Sequence, residues 1–442
     1  MTLRDRLRAM NAAGTRQSTS RGEGPSAAHL PAAEDSRALF TAIPNARIAV
    51  TPFGPVVSIE TAYPLAGARG KVPLRTAQNA PSTGWQRLLH ADARARSFSI
   101  HEAVFIDTET TGLERGAGTY AFLVGIGRIR GDEFRVRQLF MRDYHEEAAL
   151  MHELIGELQG ATGVVTFNGK TFDWPLLQTR AVLNRMELPD LIHLDVLHPA
   201  RRLWSGVTQS CRLVQLEQEV LGTGRIGDVP GELIPSLFFQ YLQTGDIAPL
   251  LPVFEHNRLD IVTTFALAGY LAQGAAEPLT AAPAGAPLPG SDLYAFGRLF
   301  AEQGDLQLAV DSLEEARRRD LPPRLLWPCT DLLASLYKRA GDYERALPLW
   351  REMADAGALV PQPHVELAKY YEHRRKEFHT AREWTLRAID AMRQRWLLSG
   401  LGRAREGSLI RRELAELYHR LERLDNRLAR AQSEAAEPYY PA

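Results

Sequence analysis

The last third of the chain repeats one pattern of large and small residues. Eight positions that start at Phe296 recur 37 residues later, starting at Leu333, and a third copy begins at Leu367. Large residues that alternate with small ones at this spacing let the two helices of a pair approach closely and let successive pairs stack. The repeat therefore predicts an all-α helical-repeat domain over residues 291–442, with an ordinary helical bundle as the alternative.

The repeated positions resemble those of tetratricopeptide repeats. The resemblance rests on the order of large and small residues, for example Leu333, Ala334, Tyr337 and Gly341 in the second copy. It implies an α-solenoid, whose usual role is to hold another protein or another domain. We therefore expect a protein partner for the C-terminal repeats.

Residues 100–273 follow a different pattern, in which strands alternate with helices. Four apolar, β-branched segments predict strands, and two segments with helical periodicity predict helices. The strands are 103–107, 120–129, 134–141 and 163–167, and the helices are 146–158 and 175–184. Three strands in succession, followed by a helix and a buried strand, predict an α/β fold with a mixed sheet flanked by helices.

Composition sets the remaining boundaries. Residues 1–38 are polar and rich in small residues, which predicts a flexible N-terminal arm. Residues 39–99 begin with two β-rich segments around a Pro and Gly turn and are interpreted as a short β-rich extension. The Ala, Gly and Pro in residues 274–290 predict a linker between two separately folding units.

Whole-chain composition limits the cellular setting. The only two cysteines, Cys211 and Cys329, cannot build a disulfide framework, and no apolar run is long enough for a membrane span. No apolar core of a secretory signal is present in the first residues, so we expect a cytoplasmic protein that does not enter a membrane. Residues 100–272 hold more acids than bases, although the whole chain has a net charge of only -1. Such an acidic segment suits a carboxylate-rich site that binds cations.

The first chemical signal is a strand that ends in two acids. Asp107 and Glu109 lie two residues apart after an apolar lead-in, so both point to one face of the strand. The turn that follows, Thr110-Thr111-Gly112-Leu113, suits a backbone bend against a ligand, and these four residues are candidate substrate contacts. The alternative is an exposed strand end with solvated acids.

A second signal follows the strand near residue 165. Asn168 and Lys170 lie in a Gly turn and are candidates for contacting a phosphate or sugar, and Asp173 stands where a helix begins. A plain N-cap is the alternative for Asp173, since Asp is common at that position. Taken alone, Lys170 is better explained as a solvated surface charge than as a substrate contact.

A third signal lies in a helical stretch. His256 and Asp260 are four residues apart and therefore share one helical face. With Asp107, Glu109 and Asp173 they make a set of four carboxylates and one imidazole. Without a matching Cys or His cluster, such a set favours Mg²⁺ or Mn²⁺ over structural zinc. Two such ions can activate a water and stabilise the leaving oxygen of a phosphodiester, and a histidine can take the proton of the water.

These three blocks resemble the motifs of the DEDD, or DnaQ-like, 3′-5′ exonuclease superfamily, which has a ribonuclease H-like fold. The segments Phe-Asn-Gly-Lys-Thr-Phe-Asp and His-Asn-Arg-Leu-Asp are similar to those of the YprB-like group within it. The resemblance implies a metal-dependent 3′-5′ exonuclease acting on DNA or RNA. It also implies that Asp107, Glu109, Asp173 and Asp260 bind the metal and that His256 is the catalytic base.

One departure from the family pattern concerns the histidine. The superfamily places a Tyr four residues or a His five residues before the last Asp, whereas His256 stands four residues before Asp260. Asp195 is a further acid and a candidate for a supporting acid of the site or a fifth metal ligand, with a simple surface or capping role as the alternative. The sequence also leaves open a non-catalytic adaptor that binds nucleic acid, and an endonuclease on the same fold.

Overall fold

The computed structural model describes residues 41–43, 45–112, 118–356, 360–398 and 404–436. The predicted arm, residues 1–38, and the candidate substrate contact Leu113 lie outside the described residues. The other candidate residues are described.

Seven strands form one mixed sheet in the order β1-β2-β7-β6-β5-β8-β9. These strands are β1 (Ala46–Thr51), β2 (Gly54–Pro64), β5 (Ala103–Thr110), β6 (Ala121–Arg130), β7 (Glu133–Phe140), β8 (Gly163–Thr166) and β9 (Ile192–Asp195); two short strands, β3 (Ala68–Arg69) and β4 (Val72–Pro73), pair separately. The pairs β5-β8 and β8-β9 are parallel, and the other pairs of the large sheet are antiparallel. The predicted mixed sheet is confirmed, and the N-terminal hairpin extends it at one edge.

Helices cover both faces of the sheet, and a helical region follows. The helices are α1 (Arg75–Asn79), α2 (Ser82–Leu88), α3 (Glu147–Leu158), α4 (Asp173–Leu183), α5 (Leu197–Trp204), α6 (Leu213–Leu216), α7 (Ile234–Thr244), α8 (Leu251–Ala276), α9 (Gly290–Gln303), α10 (Leu306–Arg318), α11 (Pro323–Arg339), α12 (Tyr343–Asp355), α13 (Gln362–Tyr370), α14 (Phe378–Leu398) and α15 (Ala404–Ala436). None of the helices among the described residues combines the length and the apolar character that crossing a membrane requires.

The alternation of side chains along β5 divides the core between the two faces. Val104 and Ile106 belong to a cluster with residues of α3, α4 and α7. Phe105 belongs to a second cluster on the other face, where its ring meets that of Phe265 from α8 at 5.2 Å. Asp107 follows Phe105 by two residues and therefore faces α8 as well.

The C-terminal helices form pairs that follow the sequence repeat. α9 pairs with α10, α11 with α12, and α13 with α14. Asp305 and Asp342, which are 37 residues apart, cap the second helix of the first two pairs by accepting bonds from Leu308 N at 3.4 Å and Arg345 N at 3.0 Å. A helical region after the α/β region is thus observed, and its assignment as tetratricopeptide repeats stays a prediction.

The first helix of this region packs directly on the α/β region. One hydrophobic cluster runs from Phe105 through α8 to α9 and beyond. The buried carboxylate of Asp292 on α9 accepts bonds from Trp204 Nε1 at 3.1 Å and from Tyr270 Oη at 2.5 Å. Both oxygens are therefore used to join α9 to α5 and α8.

The connection before α9 is shorter than the predicted linker. α8 continues to Ala276, into the segment predicted as linker. Gly274, inside this helix, is a point of close packing, since a Cβ there would lie 2.3 Å from Phe296 Cζ. Ala281 and Leu288 in the connection are buried. Independent folding of the two units remains a prediction.

Candidate active site

The first pair of acids lies on β5 where that strand faces α8. Asp107 is partly buried, and Glu109 is 8% exposed. The register of the β5-β6 pair shifts between Glu109 and Thr110, and a shift of this kind marks the end of regular pairing. The two acids therefore share one face at the end of the regular strand, as the two-residue spacing predicts.

Asp173 is the first residue of α4, but it does not cap that helix. Phe172 holds the cap position, and the Asp173 carboxylate instead accepts bonds from Thr108 N at 3.1 Å and Thr108 Oγ1 at 2.5 Å. Thr108 lies between the two acids of β5. These bonds attach the start of α4 to β5 and bring the third acid to the first two.

Helix α8 contributes Asn257 as well as His256 and Asp260. Asn257 Nδ2 donates to Asp107 Oδ2 at 2.8 Å and to the Asp107 carbonyl oxygen at 3.2 Å. Asn257 Oδ1 accepts from Gln138 Nε2 at 2.9 Å. Gly125 makes room for this amide, since a Cβ there would lie 2.4 Å from Asn257 Oδ1. The fully buried Asn257 therefore fixes the orientation of Asp107.

Asp260 and His256 are held by residues from the loop between α6 and α7. Arg225 Nη2 lies 2.5 Å from Asp260 Oδ1. Asp228 Oδ1 lies 2.6 Å from His256 Nδ1, and Arg225 Nη1 lies 3.4 Å from Asp228 Oδ2. His256 Nε2 is 3.6 Å from Asp260 Oδ2. Arg225 thus contacts Asp260, and Asp228 contacts His256, so both predicted residues of α8 have a partner from this loop.

Burial and mutual repulsion raise the pKa values of three of the acids. Burial is the main cause that raises the pKa of Asp107 well above its usual range, and the charges of Asp260, Glu109 and Asp173 raise it further. Burial and the charges of Asp260 and Asp173 raise the pKa of Glu109 in the same way. Burial raises the pKa of Asp173 to about 6, although the hydrogen bonds that it accepts act in the opposite direction. A bound cation would relieve this repulsion.

The donor set suits a hard cation in its chemistry, because all four acids offer oxygen ligands. In this conformation, no group of three or more His, Cys, Asp or Glu side chains in the described ranges is arranged to hold a metal ion. One oxygen of Asp260 is taken by Arg225, and one of Asp173 by Thr108. These two oxygens are therefore engaged by other groups of the chain in this conformation.

A cavity of about 440 Å³ opens beside the acids. Asp107 and Asp260 line it together with Asn168 and with two arginines, Arg201 from α5 and Arg212 just before α6. Both arginines are exposed, and neither forms an ion pair with any acid that the structure describes. Anionic and cationic groups therefore face the same space.

The other candidate contacts of the sequence analysis lie around these acids. Thr110 Oγ1 donates to the Gly112 carbonyl oxygen at 2.8 Å, and Thr111 Oγ1 accepts from Tyr120 N at 3.0 Å, so both hydroxyls shape the turn. Asn168 has a φ of 68°, in the left-handed region, and lines the cavity. Lys170 is exposed.

Asp195 fixes the backbone of the turn after β8. Its Oδ1 accepts from Asn168 N at 2.7 Å and from Leu197 N at 3.1 Å, and its Oδ2 accepts from Lys170 N at 3.1 Å. The bonds from Asn168 N and Lys170 N stabilise the left-handed backbone at Asn168, and the bond from Leu197 N lies at the start of α5. Asp195 therefore has a supporting position behind the turn.

Sequence reasoning missed five residues of this arrangement: Arg201, Arg212, Arg225, Asp228 and Asn257. Asn257 lies inside the His-Asn-Arg-Leu-Asp block, where its position one residue after His256 was a signal. The loop residues lie in an irregular, Gly-rich segment without periodicity, so no pattern pointed to them.

Comparisons with known proteins agree with this fold. The profile of the RNase_H superfamily matches residues 104–272. The chain is 32% identical over 331 residues to a Bacillus subtilis (strain 168) protein described as uncharacterized protein YprB, and this match spans 73% of the chain and 77% of that protein. The chain therefore belongs to the YprB family and has a ribonuclease H-like domain.

Proposed function

We propose that this protein is a divalent-metal-dependent nuclease that hydrolyses phosphodiester bonds of DNA or RNA from the 3′ end. The observation that carries the proposal is the convergence of Asp107, Glu109, Asp173 and Asp260, which come from β5, α4 and α8. The charges of Asp173 and Asp260 contribute to the raised pKa values of Asp107 and Glu109. A scaffold has no need to bring buried acids together at this cost. The ribonuclease H-like fold supports a nucleic-acid substrate.

In this proposal the four carboxylates hold Mg²⁺ or Mn²⁺, with two ions expected. When bound, the ions supply Lewis-acid charge and lower the pKa of a water. His256 takes the proton of that water. The Asp228 carboxylate, which lies against His256 Nδ1, can only accept a hydrogen bond. We therefore infer that Nδ1 carries a proton and that Nε2 is the basic nitrogen.

The cavity supports a role in substrate binding. Arg201 and Arg212 suit the phosphates of a nucleic acid, because a guanidinium donates two bonds in a fork that matches phosphate oxygens. Asn168 lines the same cavity. We assign Thr110, Thr111, Gly112, Leu113 and Lys170 to the surrounding substrate surface.

The experiment uses the full chain with DNA and RNA, each single- and double-stranded and labelled at the 5′ end. Cleavage that needs Mn²⁺ or Mg²⁺, stops with chelator and shortens the strand one nucleotide at a time is the expected result. Internal fragments at early times would instead indicate an endonuclease. Binding without cleavage would favour the adaptor.

Two variants test the acids. Asp107→Ala and Asp173→Ala should abolish cleavage while the chain stays folded. Asp190→Ala is the matched control, because the Asp190 side chain is 90% exposed and pairs only with Arg94 among the described residues. Undiminished cleavage in either site variant would remove that residue from the mechanism.

The remaining assignments concern the setting of the reaction. The helical pairs would hold a protein partner, as the resemblance to tetratricopeptide repeats implies. A cytoplasmic location fits Cys211 and Cys329, which are both free thiols. Fractionation of cells and recovery of crosslinked partners with and without residues 291–442 test these two assignments.

A further inference from the structure

We propose that Arg225 and Asp228 are positioning residues that aim Asp260 and His256 toward the reacting groups. This inference rests on the proposed nuclease function. Neither residue belongs to the three motifs, yet Arg225 contacts Asp260 directly and Asp228 contacts His256 directly.

Arg225 holds one oxygen of Asp260 and leaves the other available. The Arg225 side chain is 2% exposed, and its Nη2 lies 2.5 Å from Asp260 Oδ1 in an ion pair. Both atoms are buried, and neither makes a hydrogen bond in this conformation, so the ion pair is their only polar contact among the described residues. Asp260 Oδ2 lies on the side of His256 Nε2. Oδ2 is therefore the oxygen left for an ion that approaches from the cavity, while Oδ1 is paired with Arg225.

Arg225 is itself held on the side away from Asp260. Its Nε lies 2.8 Å from Glu217 Oε2, and the Glu217 side chain has no exposed surface. Glu217 also pairs with Arg69 of β3, whose Nε donates to Thr263 Oγ1 of α8 at 3.2 Å. A series of ion pairs with alternating charge thus connects Arg69 of the N-terminal extension, through Glu217 and Arg225, to Asp260. Arg69 lies outside residues 104–272, so the extension contributes to the site.

Asp228 orients the imidazole in a corresponding way. At 2.6 Å from Nδ1, its carboxylate accepts a hydrogen bond from the proton on that nitrogen, which selects the tautomer with a lone pair on Nε2. Arg225 Nη1, at 3.4 Å from the other Asp228 oxygen, neutralises the carboxylate. The same arginine therefore supports both residues of α8.

The charge of Arg225 alone would have the opposite effect on metal binding. A cation beside the acids repels a metal ion, so its removal should strengthen binding if charge were its only effect. A positioning residue behaves differently, because loss of a group that orients a ligand weakens metal binding by roughly 10- to 100-fold. The direction of the change therefore separates the two roles.

The first measurement is Mn²⁺ binding by isothermal titration calorimetry to the full chain. We expect Arg225→Gln to bind Mn²⁺ roughly 10- to 100-fold more weakly than wild type. The affinity of Arg225→Lys should fall between these two, since an ammonium cannot reach three acids in the geometry of a guanidinium.

Arg258→Gln is the control, because Arg258 lies on the same helix as Asp260 but pairs with Glu255. Thermal unfolding identifies the folded variants, and Arg225→Lys carries the test if Arg225→Gln does not fold. Equal or tighter binding would overturn the positioning role of Arg225.

The second measurement is independent of metal and of cleavage. Nitrogen-15 NMR of histidine-labelled protein at a pH where imidazole is neutral reports the tautomer of His256, whose signal is assigned with His256→Gln. We expect the Nδ1-protonated form in wild type and a shift toward the Nε2-protonated form in Asp228→Ala. An Nε2-protonated His256 in wild type would overturn the role of Asp228. If the wild-type protein does not bind Mn²⁺, the metal-dependent function is refuted. The tautomer of His256 still tests the role of Asp228 in that case.

Discussion

Replacing Asn257 tests whether the buried amide network holds the site together. The Asn257 amide makes three hydrogen bonds, two to Asp107 and one from Gln138, and no part of the residue is exposed. A hydrogen bond of this kind contributes about 1 kcal/mol net. Asn257→Ala should therefore lower the free energy of unfolding by about 3 kcal/mol, because all three hydrogen bonds of the buried amide are lost.

Urea unfolding followed by circular dichroism measures this change, with Asn79→Ala as a control at an exposed asparagine. A change below about 0.5 kcal/mol, which is typical of surface positions, would refute the reasoning. Gly125→Ala provides a second test, since its methyl group would press on the Asn257 amide. Gly125→Ala should lower the free energy of unfolding by less when Asn257 is already alanine. If the effects of the two substitutions are additive, the two residues do not share the network.

Three further predictions concern other parts of the chain. Burial lowers the pKa of His193 to about 3 from its ordinary 6.5, so protonation favours the unfolded chain as the pH falls below about 6.5. From pH 7 to pH 5 the free energy of unfolding should fall by about 2 kcal/mol more in wild type than in His193→Gln, and equal losses in urea unfolding would contradict this. Arg201→Ala and Arg212→Ala should each weaken binding of an oligonucleotide in chelator and reduce the salt dependence of log K by about 1, and an unchanged slope would exclude phosphate contacts. Proteolysis within residues 277–289 should give two fragments that elute together in gel filtration, because one hydrophobic cluster crosses this connection; fragments that separate and stay helical would support independent folding.

Much of the fold was predictable because it depends on local periodicity. Alternation of apolar residues predicted the strands of the mixed sheet, and the 37-residue repeat predicted the helix pairs. The end of α8 was harder to predict. Gly274 lies in a segment with linker composition, but the reason for the glycine is the Phe296 ring that packs against it. A contact between two distant residues leaves no periodic signal in one sequence.

The candidate site shows the same limit. The strand spacing of Asp107 and Glu109 and the helical spacing of His256 and Asp260 predicted shared faces, which the structure shows. The N-cap alternative for Asp173 does not match the structure, because its carboxylate bonds to Thr108. Arg225 and Asp228 were not predictable, since an irregular loop has no period that would place its side chains.

The carboxylate of Asp292 affects how this protein can be divided, in evolution or by design. Trp204 and Tyr270 each donate to one of its oxygens. A ribonuclease H-like domain transferred to another protein without α9 would carry two aromatic donors with no acceptor, beside a newly exposed apolar face. The unit suited to exchange is therefore the ribonuclease H-like domain together with the first helical pair, which ends at Arg318, and not the shorter segment that the superfamily profile covers.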